Sequence, residues 1–285
     1  MQLAHFCHKG DISLGMRVGD ELVDISGAGG PASLDEVLAA NDGSLASLEE
    51  FANSNANRIS IDAVEKWLPP ILSPSKALAI GLNYVDHAAE GQQEVPTYPV
   101  IFTRYPSSWV GHKQPIIQPK VSKILDYEGE MVVVIGKGGK AISKEKALDH
   151  VAGYSIFNEG SLRDYQMRTH QWGIGKNFDK SGSFGPFFVS ADELPDGAVG
   201  LQLKTVLNGK EMQNANTRDM IFDVATLVVT LSEVMALNPG DIIISGTPAG
   251  VGGARKPPVF MQPGDVCEIS IEGIGKLSNA IELEQ

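Results

Sequence analysis

Eleven consecutive residues constrain this chain more than any others: Asp126-Tyr127-Glu128-Gly129-Glu130-Met131-Val132-Val133-Val134-Ile135-Gly136. The apolar run, bounded by Gly136 and Lys137, predicts a buried β-strand. Side chains alternate along a strand, so Asp126, Glu128 and Glu130 share one face, with neighbours roughly 7 Å apart. Three carboxylates on one face repel one another unless something positive sits among them. Two readings follow. One is an exposed strand end with a solvated acidic face; the other is a site for a hard divalent cation, which prefers carboxylate oxygens.

The whole chain narrows the classes of partner. Its 285 residues can bury a large core in one domain or two, and 42% hydrophobic with 20% charged residues is an ordinary globular balance. A formal charge of −12 argues against nucleic acid or an anionic membrane as the main partner. An anionic substrate stays open, because a local Arg/Lys pocket or a metal overrides the net field. Cys7 and Cys267 are far apart and in no metal-type spacing, so neither a disulfide scaffold nor a zinc finger is expected. The amino terminus has no basic segment leading into an apolar one, and no window has the length of a membrane span, so the expected location is cytoplasmic.

Short strands are predicted at 2–7, 13–18 and 21–25, then helices at 34–40 and 44–52 and a third near 61–67. Pro69-Pro70 and Ser73-Pro74 break the pattern, which places a boundary between a small accessory domain, 1–72, and a larger one, 73–285. The second part is β-rich, with strands at 77–81, 99–104, 131–136, 153–158, 242–245 and 266–271. A hairpin turns at Asn208-Gly209. Helices are predicted at 83–90, at 144–150 with Ser143 as cap, and at 222–235, the best amphipathic stretch. Helices and strands do not alternate regularly, so the expected class is a β-rich α+β fold rather than a doubly wound or barrel fold.

Four further segments carry chemistry. His87 and Glu90 stand at i, i+3 on a short helix, where a carboxylate orients an imidazole and raises its basicity. Glu159 ends a strand just ahead of Ser161-Leu162-Arg163-Asp164-Tyr165-Gln166, which looks like a first helical turn. The loop from Gly175 to Pro186 is dense in glycine, and its Lys176 can aim an ammonium at an anion. Ser245-Gly246-Thr247-Pro248-Ala249-Gly250-Val251-Gly252-Gly253 follows a strand but lacks the nucleotide-binding G-x-x-x-x-G-K-[ST] pattern, so its N–H groups or Thr247 suit a carboxylate instead.

Taken in this order, LNYVDHAAE, DYEGEMVVVIGK, GYSIFNEGSLRDYQ, GKNFDKSGSFGPF, LNGKEMQNANTRDMIF and PGDIIISGTPAGVG resemble the fumarylacetoacetate hydrolase family. The resemblance runs from about Ala77 to the carboxyl end. It is nearest the bacterial branch of acylpyruvate hydrolases and 2-hydroxyhepta-2,4-diene-1,7-dioate isomerases.

The resemblance implies a mixed β-roll catalytic domain behind a small N-terminal α/β domain, paired as a homodimer. It implies one Mg²⁺ or Mn²⁺ held by Glu128, Glu130 and Glu159, the last standing where the family usually has Asp; Asp126 is then structural. A small anionic 2-oxo acid would chelate the ion, with no nucleic acid or membrane as partner. His87 with Glu90 would activate water, while Lys176 and Gln166 stabilise the oxyanion. Arg163, Thr247 and Tyr84 would contact substrate, and the His87 segment would be a lid that orders on binding. The expected reaction is hydrolysis of a C–C bond in an acylpyruvate-type acid, in catabolism of aromatic compounds or sugar acids. Alternatives on the same scaffold are an oxaloacetate-type decarboxylase, a 2-oxo-dienedioate isomerase or decarboxylase, a ureidoglycolate lyase, and a silent metal- or 2-oxo-acid-binding protein. Arg104, Tyr105, His112, His170 and Trp172 are candidates for the substrate's distal pocket.

Overall fold

The computed structural model describes residues 1–52, 56–91 and 94–285, and the protein is strand-rich α+β. The strand foreseen from the apolar run is Gly129–Ile135, and every residue in it is buried. It pairs antiparallel with Val151–Asn158 on one side and with Ile242–Ile244 on the other. Ile242–Ile244 continues in parallel to Ala77–Gly81, which then pairs antiparallel with Val100–Thr103. Burial on both faces explains the unbroken Val/Ile composition of the two central strands.

The same sheet runs on into the first 70 residues. Val151–Asn158 pairs with Phe188–Ser190, and that strand with Gln2–His8. Asp11–Val18, Glu21–Asp24 and Arg58–Ser60 follow outward, for 13 strands including the side branches. A five-stranded sheet built on the Gln202–Leu207/Lys210–Asn216 hairpin, with Val266–Ile271, Gly275–Leu283 and Ile116–Gln118, packs its Leu203, Ile269 and Leu277 into the main core. The longest helix, Val224–Val234, is capped by Asp223, whose Oδ1 accepts the Thr226 N–H at 2.8 Å, and it buries Leu227, Val228 and Leu231 in that core. Among the described residues no helix is long and apolar enough to cross a membrane.

Three helix expectations need correction. Residues 61–67 form a short 3-10 turn, Ile61–Ala63, and then a strand, Lys66–Leu68, on the edge of Gln2–His8. Trp67 decides this by packing edge-on against His112 and Phe187, contacts distant in sequence. The stretch 144–150 is two 3-10 turns, and the Ser143 side chain caps nothing. The stretch 44–52 splits into a 3-10 turn, Ala46–Leu48, and one helical turn, Glu49–Ala52.

Candidate active site

Glu128 lies just outside the Gly129–Ile135 strand, and its C=O accepts the Glu159 N–H at 2.9 Å where the partner strand ends. Strand pairing therefore brings Glu128, Glu130 and Glu159 to one place, all three buried. Gly129 between the two glutamates is dictated by packing, since a Cβ there would collide with Thr205 Oγ1. Gln213 locks this turn. Its Oε1 accepts the Gly129 N–H (2.9 Å) and the Thr205 hydroxyl (2.7 Å), and its Nε2 donates to Thr247 Oγ1 and to the Pro248 C=O, both at 2.8 Å.

The carboxylates are compensated unequally. Glu128 meets two cations, Lys176 Nζ on Oε2 at 2.6 Å and Arg163 Nη2 on Oε1 at 2.6 Å. Burial pushes its carboxyl upward, but Arg163 and Lys176 outweigh burial and hold it at about 2. Glu130 has no such partner; its Oε2 accepts the Gly246 N–H at 2.6 Å. Burial, with the charges of Glu159 and Glu128, raises it well above the usual carboxylate range. Glu159 accepts from Arg104 on Oε1 at 3.0 Å, while its Oε2 is buried with no hydrogen-bond partner. Lys176 Nζ lies 3.7 Å from Glu159 Oε1. Among the described residues no three His, Cys, Asp or Glu side chains form a ready-made metal cluster; here the Lys176 ammonium is the cation near Glu128 and Glu159.

Glu128 and Glu130 open onto a cavity of about 1000 Å³, which Arg163, Gln166, Lys176, Thr247, His87 and Glu90 also line. His87 Nδ1 is 2.8 Å from Glu90 Oε1, so the carboxylate selects the tautomer with hydrogen on Nδ1 and leaves Nε2 as the free base. Glu90 Oε2 accepts the Gly250 N–H at 2.9 Å. The dyad is thus docked on the cavity wall. Arg163 holds the site together: Nε donates to Asp126 Oδ2 (2.8 Å), and Nη1 donates to Gln166 Oε1 (2.9 Å), leaving the Gln166 amide nitrogen as the free end. Asp126 is structural, as expected, taking N–H groups from Gly252 and Gly253.

Several candidates stand elsewhere than expected. Tyr84 is buried in the main core and does not line the cavity. Thr247 lines it, but its hydroxyl proton goes to the Gly129 C=O at 3.0 Å rather than toward a substrate. Of the distal candidates, His170 and Trp172 line the cavity; Arg104, Tyr105 and His112 do not. Arg104 is enclosed against Glu159, Tyr105 is exposed, and His112 Nδ1 accepts the Ser278 N–H. Phe102, Met167 and Phe260 are among the apolar residues that also line it. No motif pointed to them, because an apolar lining residue looks like any core residue until the chain is folded.

Buried carboxylates, a lysine, an arginine and a carboxylate-oriented imidazole around one cavity are the groups expected of an enzyme site. The family described as fumarylacetoacetate (FAA) hydrolase, C-terminal, matches residues 76–282. The mitochondrial oxaloacetate tautomerase fahd2 of Xenopus laevis is 38% identical over 274 residues, 95% of this chain and 85% of the relative. The fumarylacetoacetate hydrolase of Exiguobacterium antarcticum superposes with a TM-score of 0.88 at 36% identity, covering all of both chains. The maleylpyruvate hydrolase of Sphingobium sp. SYK-6, solved with manganese(II) and pyruvate, does so with 0.82 at 28% identity, again over both whole chains. This chain belongs to the fumarylacetoacetate hydrolase family and is one of its enzymes. The relatives carry both tautomerase and hydrolase names, so the family membership stands while hydrolysis, the leading expectation from sequence, is only one of its activities.

Proposed function

We propose that the protein interconverts the keto and enol forms of a small 2-oxo dicarboxylic acid, with oxaloacetate as the lead substrate, assisted by Mg²⁺ or Mn²⁺. The observation that carries this is one general base, His87 Nε2, sharing a cavity with carboxylates that suit a hard cation and with an ammonium, Lys176, for an enolate oxygen. The oxaloacetate tautomerase name of the Xenopus laevis relative supports the choice of substrate.

Glu128, Glu130 and Glu159 would hold that ion, though they are not preassembled as a cluster: all three offer the oxygen donors a hard divalent ion prefers, and one oxygen of Glu159 is buried without any partner. When bound, such an ion supplies Lewis-acid stabilisation of the 2-oxo group and its enolate. The rest is done by the chain. His87 Nε2 takes a proton from C3, the C3–H electron pair becomes the C2=C3 bond, and the former ketone oxygen carries the charge. Lys176 stabilises that oxygen, which takes up a proton from water to give the enol, while the His87 imidazolium gives its proton back to water. Glu90 keeps the imidazole oriented and stabilises the imidazolium that forms. Arg163, bound to Asp126, Glu128 and Gln166, keeps the oxyanion side rigid.

The test is interconversion of enol and keto oxaloacetate, followed by the enol's ultraviolet absorbance with products identified by NMR. His87→Ala is expected to lower kcat by about 10²–10⁴-fold, the usual worth of a positioned acid–base group. Unchanged turnover in that variant would sink the assignment. Hydrolysis of an acylpyruvate is the second reading, favoured by a cavity of about 1000 Å³ with His170 and Trp172 in its wall, roomier than a four-carbon acid needs. Release of pyruvate plus a free carboxylic acid would establish it. A homodimer and a cytoplasmic location remain part of the proposal, checked by light scattering and by fractionation of the source cells.

A further inference from the structure

Arg104 is fully enclosed, and its donors are used inside the protein rather than in the pocket. Nη1 donates to Glu159 Oε1 at 3.0 Å and to the Gly160 C=O at 3.3 Å. Nε donates to Ser108 Oγ at 3.0 Å, and Nη2 to the Ser108 C=O at 3.1 Å. The guanidinium also lies 5.5 Å from the centre of the Phe157 ring. Gly182 leaves room for it: a Cβ there would stand 2.9 Å from Arg104 Nη2 and 2.7 Å from the Asn158 C=O. The niche is shaped around a fork, with one prong on Ser108 and the other on Glu159.

The consequence falls on Glu159. Its Oε1 is taken by Arg104, and its Oε2 is buried with no hydrogen-bond donor. A buried carboxylate oxygen without a donor is costly unless a cation completes it. Building on the carboxylate site proposed above, we infer that Arg104 is a positioning residue for the metal: it pins one oxygen of Glu159, so that the side chain offers the ion a single oxygen, Oε2. Arginine suits this because its planar fork holds Ser108 and Glu159 in one fixed geometry, which a lysine ammonium cannot do.

The test is titration of metal-stripped protein with Mn²⁺, free ion being read by electron paramagnetic resonance, for wild type, Arg104→Met, Arg104→Lys and Ser108→Ala. Urea unfolding without metal checks that each variant is folded. Partners that orient a metal ligand are typically worth 10–100-fold in affinity. Arg104→Met is therefore expected to bind Mn²⁺ about 10–100-fold more weakly, with Arg104→Lys intermediate. Ser108→Ala removes one hydroxyl and is expected to fold and to show a smaller loss in the same direction. If Arg104→Met does not fold, Ser108→Ala and Arg104→Lys decide the matter. Wild-type affinity in the folded variants would overturn the role of Arg104 while leaving the metal site standing. No Mn²⁺ binding by wild type would overturn both.

Discussion

Two segments surround the same cavity and neutralise its carboxylates by different means. The Ser245–Gly253 loop uses its backbone: Gly246 N–H on Glu130, Gly250 N–H on Glu90, and Gly252 and Gly253 N–H on Asp126. The segment from Arg163 to Lys176 uses two side-chain cations, Arg163 and Lys176, both on Glu128, and Arg163 reaches Asp126 as well. A backbone N–H can orient a carboxylate but carries no full charge, so Glu130 stays raised while Glu128 is held at about 2. The loop suited to binding a carboxylate does bind carboxylates, but they are the chain's own. Anchoring belongs to the loop and charge compensation to the cations, and these two jobs can be separated by substitution.

The largest effect is expected on the cation side. Lys176→Met leaves Glu128 with Arg163 alone and removes the enolate's ammonium; kcat on oxaloacetate should fall about 10²–10³-fold, as for loss of one preorganised oxyanion donor. A loss under threefold would show that the lysine only balances charge. On the anchoring side, Gly250→Ala should cost about 1–3 kcal/mol in urea unfolding and lower turnover as well. The residue has φ of +104°, its Cβ would collide with the Met212 C=O, and its N–H holds Glu90. Wild-type stability would mean that the loop is not under this constraint.

Gln213→Ala sharpens the comparison, because Gln213 ties the Thr247-Pro248 loop to the Glu128-Gly129-Glu130 turn. Leaving the buried Gly129 N–H unpaired should destabilise the fold by about 1–3 kcal/mol and weaken Mn²⁺ binding, with Thr205→Val a milder version. Equal Mn²⁺ affinity in a destabilised variant would separate packing from ligand placement.

The smallest effect lies outside both segments, where the chain buries histidine in the neutral form. Burial lowers the His5 and His112 pKa, the latter to about 4, and each ring accepts a backbone N–H, from Leu34 and Ser278 respectively. A lowered histidine favours folding fully above the unfolded value of 6.5 and loses that contribution as pH falls from 6.5 toward the folded value. For His112 this amounts to about 2 kcal/mol between pH 7 and pH 5. Urea midpoints should drop over that range in wild type and drop less in His112→Gln; parallel curves would show that other groups govern acid stability.

Legibility followed the range of the interactions. The central strand, the Asn208-Gly209 hairpin and the Asp223-capped helix rest on local pattern, and each stands within a residue or two of its expected place. His87 and Glu90, three residues apart on one helix, form the pair that spacing implies. The failures are residues whose role is settled by distant partners. Trp67 becomes a strand residue through Phe187 and His112, and Arg104 leaves the pocket for Glu159. Thr247, suited by type to hold a carboxylate, is tied to Gly129 and Gln213 from two other strands.

By itself the sequence determined the buried strand with its carboxylates, the His–Glu pair, the β-rich class and, through its motifs, the family. These depend on side-chain period, turn chemistry and residue type, which act over a few residues. Only the tertiary structure decided that Arg104 pairs with Glu159 rather than facing the cavity, and that the glycine loop serves Glu130, Glu90 and Asp126. Those facts depend on how segments 55 to 160 residues apart are brought together, and no local pattern carries that information.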